Sequence, residues 1–138
     1  MQLMQAADAS RLAGLTPHQL REWCGRRCIV APDVPGAGRG RHALFSWQTV
    51  LTLRLLRELH ERFGAEVGAW KGALGEFRAL VGGRSFPGLW SAVVAFPNCD
   101  HARLIEGRPV PTEAQLLLPL APHLHVIAPV NPQDSNPI

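Results

Sequence analysis

Within four residues, Gly14-Leu15-Thr16-Pro17, the chain ends one helix and begins another. Glycine tolerates the left-handed conformation that closes a helix, whereas threonine caps a new one and proline suits its first position. Gln19, three residues after Thr16, completes a capping box. Upstream, Ala6, Ala9, Leu12 and Ala13 recur at helical spacing, which predicts a helix over 4–13. Downstream, the capped helix is expected to run to about Arg27. Two short helices joined by so tight a turn must pack against each other at a steep angle.

Proline then divides the chain. Nine of its twelve prolines follow residue 86, so long helices belong to the front of the molecule and not to its back. After the helix pair, Cys28-Ile29-Val30 and Leu44-Phe45 are short strand-like pieces, separated by Pro32, Pro35, Gly36, Gly38 and Gly40 with Arg39 and Arg41. They predict a β-hairpin wing with a cationic tip over 37–42. Ser46 caps a third helix in which Trp47, Val50, Leu51, Leu53, Leu56, Leu59 and Phe63 give a broad apolar face before Gly64 ends it. On its outer side Arg54 with Glu58, Arg57 with Glu61 and Glu58 with Arg62 have ion-pair spacing.

A fourth helix over 66–81 places Val67, Trp70, Leu74, Phe77 and Val81 on one stripe. This stripe suits either packing on the third helix or a contact between two subunits. Beyond residue 84, Leu89 to Phe96 and His101 to Glu106 flank the turn Pro97-Asn98-Cys99-Asp100 and predict a hairpin. Leu116–Leu118 and Leu124–Ile127 suggest further strands, although one helical turn over 112–116 fits as well. The expected class is α+β: a mainly helical unit over 1–81, a small β-rich segment over 85–130 for dimerisation or partner binding, and a tail over 131–138.

With 46% apolar and 18% charged residues in 138, the chain has the composition of one ordinary folded core, which excludes disordered and fibrous classes. Its net charge is +3, and thirteen of its fourteen basic residues are arginine. Residues 1–42 hold six arginines against Asp8, Glu22 and Asp33, which accounts for the whole excess. A polyanion is therefore expected to dock on the first third. There is no leader-like start and no apolar run long enough to span a membrane, so a soluble cytoplasmic protein is expected. Three cysteines, an odd number, fit a reducing compartment.

The order of these features resembles the amino-terminal domain of the MerR family of transcription regulators. The residues that carry the likeness are Ser10-Arg11-Leu12-Ala13-Gly14-Leu15-Thr16-Pro17, Leu20-Arg21-Glu22-Trp23, Gly38-Arg39-Gly40-Arg41-His42-Ala43-Leu44-Phe45-Ser46, and Val50 with the leucine-rich helix after it. The resemblance implies a winged helix-turn-helix that binds double-stranded DNA as a homodimer, its second helix lying in the major groove. By position it assigns His18, Gln19, Arg21 and Arg26 to the recognition helix and Arg39, Arg41 and His42 to the wing. Arginine forks suit guanine edges and phosphates. Glu22 stands where the family usually has an aromatic residue, and Phe45 where it often has tyrosine. The stripe Val67, Trp70, Leu74, Phe77 and Val81 takes the place of the long dimerisation helix of larger members.

Other functions have less support. Cys99-Asp100-His101, with His123 and His125, offers metal-ligand types without a paired Cys-x-x-Cys, so no metal or cofactor is expected. Gly36 to Gly40 precedes no helix as a phosphate loop does, and several of the eleven carboxylates are used in helix pairs, so catalysis is not expected. The alternative is a protein-interaction module, such as an anti-regulator or phage-type accessory protein, engaging a partner through the β-rich tail.

Overall fold

The computed structural model describes residues 2–37, 42–107 and 112–128. Arg39, Arg41 and the tail over 131–138 therefore lie outside the described residues.

Strand β1 (Met4–Gln5) leads directly into helix α1 (Ala6–Ala13). The helix begins two residues later than its periodicity predicts, because Met4 and Gln5 pair with Phe45 and Leu44 of strand β2 (Leu44–Phe45). Gly14, at φ 74°, closes α1 in the left-handed conformation. Leu15 N–H then reaches back to Ser10 carbonyl at 2.9 Å. Helix α2 (Pro17–Leu20) follows, and it continues without a break into a π-helical turn over Arg21–Arg26. In that turn Arg27 N–H donates to Glu22 carbonyl at 2.8 Å, five residues back.

The wing departs from expectation in one respect. Cys28-Ile29-Val30 is not a strand: Ile29 and Val30 N–H groups both donate to Trp23 carbonyl, which closes the π-turn and buries both side chains. The partner of β2 on the wing side is Val34, through a single antiparallel bridge to Leu44. Cys28 adopts φ 49°, the one described non-glycine residue with positive φ, and turns the chain out of the helix.

Ser46 caps helix α3 (Trp47–Phe63), accepting from Thr49 N–H at 3.3 Å, and Gly64 ends the helix at φ 67°. Of the three ion pairs expected on α3, Arg57 with Glu61 forms at 3.0 Å. The other two are absent among the described residues, because Arg54 and Glu58 turn toward the carboxyl-terminal part of the chain. A 3-10 turn over Val67–Trp70 precedes helix α4 (Lys71–Gly82).

The chain then forms strands β3 (Ala92–Asn98), β4 (His101–Glu106) and β5 (Leu116–Pro119), an antiparallel sheet ordered β4-β3-β5. The expected hairpin is present, and its register shifts between Ala95 and Asn98, where Pro97 has no N–H to give to the ladder. Leu124–Ile127, expected as a strand, belongs instead to helix α5 (Ala121–Ile127), with Pro122 in its first turn and Leu124 and Ile127 buried. A single apolar cluster runs from Met4 through α1, α3 and α4 to the sheet and α5.

The α4 stripe is taken up inside the chain. Val67, Leu74, Phe77 and Val81 are buried, and Trp70 packs edge-on against Phe96 of β3 at 5.3 Å. Of the two readings of this stripe, the one realised is internal packing, since the sheet supplies the apolar surface that a second helix would otherwise have to provide.

Candidate nucleic-acid interface

The second helix is fixed at its start by reciprocal hydrogen bonds. Gln19 N–H donates to Thr16 Oγ1 and Thr16 N–H to Gln19 Oε1, both at 3.0 Å. Its inner face is set by Leu20, Trp23 and Cys24, all buried, with Trp23 edge-on to His60 of α3 at 5.8 Å. Burial holds the Cys24 thiol protonated, its pKa pushed up to about 12, with Cys28 nearby adding to the shift. Cys24 packs the inner face, whereas Cys28 is exposed.

The opposite side faces outward. His18, Arg21 and Arg26 are exposed there, and Arg21 forms no ion pair among the described residues. Arg26 lies 3.6 Å from Glu22, but its side chain is 82% exposed, a loose pair that leaves the guanidinium free to move to a phosphate. Gln19 is half-buried, and its carbonyl oxygen is engaged in the cap, so only its amide N–H groups remain to donate. His42, where the chain returns from the wing, is exposed.

Asp33 anchors the wing. Its carboxylate accepts from Ser46 N–H at 2.6 Å, from Ser46 Oγ at 2.9 Å and from Arg78 of α4 at 2.9 Å. Burial pushes the Asp33 pKa up, but hydrogen bonds from Thr49, Ser46 and Arg78 outweigh it and hold the carboxyl below the usual range. The entry to the wing, the cap of α3 and the middle of α4 therefore meet at one charge.

Arg54 holds the turn between the two helices from beneath. It donates to Leu12 carbonyl at 2.7 Å and to His123 Nδ1 of α5 at 3.1 Å. A cation at the carboxyl end of α1 satisfies a carbonyl that has no partner within the helix. Because a guanidinium only donates, His123 Nδ1 is the acceptor and the ring proton sits on Nε2, 3.5 Å from Glu58 Oε1. His123 is 5% exposed. Burial lowers its pKa against the opposing pull of Glu58, with the arginines adding to the decrease, and keeps the ring neutral.

Asp33, Arg78 and the contacts of Arg54 are missed by sequence reasoning. Asp33 and Arg78 are 45 positions apart and Arg54 and His123 are 69 apart, and no local pattern joins either pair. The metal-ligand types do not converge: among the described residues no three His, Cys, Asp or Glu side chains are placed to hold an ion. His101 instead pairs with Glu76 at 2.9 Å. No helix among the described residues is long and apolar enough to cross a membrane.

A capped second helix with arginines on its free side, a tight glycine turn before it and a strand-anchored wing after it define a winged helix-turn-helix DNA-binding domain. Residues 4–74, just over half of the chain, match the family described as MerR HTH family regulatory protein, and the chain belongs to that family. It is a DNA-binding regulator of transcription. The matched region ends within α4, so the sheet and α5 lie outside it. No curated protein matches the chain.

Proposed function

We propose that the helix over 16–27 enters the major groove of duplex DNA with His18 and Arg21 toward the base edges and Arg26 on the backbone, while Arg39, Arg41 and His42 grip phosphates beside it. The observation that carries this reading is the exposed guanidinium of Arg21, without an ion pair among the described residues, on a helix whose other face is locked by Trp23 and Cys24. Gln19 acts mainly through the cap and secondarily as a donor. Residues 1–81 supply this contact.

The proposal includes a homodimer formed through residues 85–130. Ala92, Val94 and Phe96 of β3 point into the core with Leu104, Leu116 and Leu118. On the alternate face Val93 stands between Ile105 and Pro119 with Leu117 next to them, all half-buried except the exposed Pro119, while Ala95, between Arg103 and Leu117, is fully covered. This outer face supports a sheet-to-sheet contact with a second copy, the α4 stripe being occupied already. Two copies would then read two half-sites.

Selection of operators from a random duplex library tests the reading. The wild-type chain is expected to enrich a two-fold symmetric motif, and Arg21→Ala to relax one position in each half-site. Enrichment of no motif, or of the same motif by Arg21→Ala, contradicts it.

A further inference from the structure

The charge cluster beneath the helix pair has properties that DNA reading does not use. A cleft of about 440 Å³ opens between α3 and α5, lined by Arg54, Arg57, Glu58, Glu61, Arg62 and His123. Every lining residue is charged or titratable, so an apolar ligand has no place there. The lining carries three guanidinium groups against two carboxylates, with His123 neutral.

The arginines are incompletely satisfied. Arg57 Nε, itself shielded from solvent, has its nearest carboxylate oxygen at 3.0 Å in Glu61 but makes no directed hydrogen bond to it. Arg62 has no ion pair among the described residues, because Glu58 faces His123 instead. Arg54 uses its donors on Leu12 and His123, and the Arg57 guanidinium lies against Gly14, 3.0 to 3.3 Å from where a side chain there would begin. The same arginines thus line the cleft and touch the turn that orients the recognition helix.

We propose that this cleft is an effector site for a compact oxyanion carrying two or more negative charges, a phosphate or a polycarboxylate. Arg57 and Arg62 supply paired donors for its oxygens, and Arg54 supplies a further one at the inner wall. Occupancy draws Arg54 and Arg57 away from Leu12 and Gly14, so the anion and the orientation of the helix pair are coupled, and by linkage DNA and anion affect each other's affinity equally. The anion site itself does not depend on the proposed mode of DNA reading.

The test uses the full chain without DNA. Thermal unfolding is followed as inorganic phosphate or citrate is titrated at ionic strength held constant with chloride. A saturable rise in Tm is expected with at least one anion, about 5 °C at ten times its dissociation constant. Which anion acts distinguishes phosphate from polycarboxylate sources. The rise should vanish in Arg57→Gln/Arg62→Gln, remain in Arg103→Gln on the far side of the sheet, and be accompanied in the wild type by a shift of the His123 ring ¹⁵N signals. Circular dichroism establishes that each variant is folded. No saturable rise with either anion, or a rise that survives in Arg57→Gln/Arg62→Gln, overturns the site.

Discussion

The Arg78 guanidinium donates to the Asp33 carboxylate at 2.9 Å, joining the middle of the fourth helix to the entry of the wing. The Asp33 side chain is 14% exposed, so the pair is partly desolvated, and Ser46 shares the same carboxylate through its N–H and hydroxyl. Removing the carboxylate leaves three donors without their acceptor. Asp33→Ala should destabilise the fold by about 2 kcal/mol in chemical denaturation.

The pH dependence of that contribution has a definite sign. The folded pKa of Asp33 is depressed, so its stabilisation is fully present above the unfolded value near 4 and is lost as the pH falls through the lower folded value. The Tm difference between the wild type and Asp33→Asn should be constant from about pH 5 to 8 and narrow only below about pH 4. A difference that shrinks near neutrality would show that another group governs it.

His123 titrates differently. Its folded pKa is lowered from 6.5 by burial, so its stabilisation is present above 6.5 and is lost as the pH falls from there through the folded value. His123→Asn keeps an acceptor for Arg54 but cannot take up a proton. Between about pH 7 and 5 the wild type should lose more stability than this variant, measured by parallel thermal melts. Parallel loss in both proteins would remove His123 from the explanation.

The capping box sets the start of the recognition helix. Thr16→Ala removes the acceptor for Gln19 N–H and should cost about 1 kcal/mol of stability, with a further loss of DNA affinity as the first turn frays. Thr16→Ser keeps the oxygen and should restore both. If Ser and Ala behave alike, the hydroxyl is not what orders this turn.

Dimerisation through the outer sheet face is tested by Ile105→Glu, which places a charge beside Val93. Analytical ultracentrifugation should find the wild type dimeric and the variant monomeric with unchanged secondary structure. A variant that remains dimeric places the contact elsewhere.

Much of the helix-turn-helix was legible because its signals are local. Gly14, Thr16, Pro17 and Gln19 each act within a few residues of themselves, and the conformations they favour are those found. The same holds for Ser46 and Gly64 around the third helix. Cys28-Ile29-Val30 carries a strand-like signal because β-branched residues mark burial as readily as strand, and here a π-turn closure uses the N–H groups of Ile29 and Val30. Leu124–Ile127 is a short apolar run that periodicity cannot assign, and Pro122 at its start favours the helix it forms. The Asp33 and Arg54 networks join positions far apart in sequence, and only the fold brings them together. Arg21, Arg26 and His18 are placed on the second helix by the family resemblance and are exposed on it, whereas the engagement of Gln19 Oε1 follows from a cap that the spacing predicts.

The central claim is that the arginines of the first third bind duplex DNA. Fluorescence anisotropy of the full chain with random-sequence duplex at about 50 and 200 mM salt measures it directly, because counterion release makes affinity fall with salt in proportion to the phosphates neutralised. The wild type should bind at the lower salt and weaken steeply at the higher. Arg21→Ala should bind less tightly, and Arg39→Ala/Arg41→Ala should reduce the log–log slope by about 2. A folded protein that fails to bind at about 50 mM salt, or whose binding ignores both salt and these substitutions, would contradict the account and favour a protein partner for this chain.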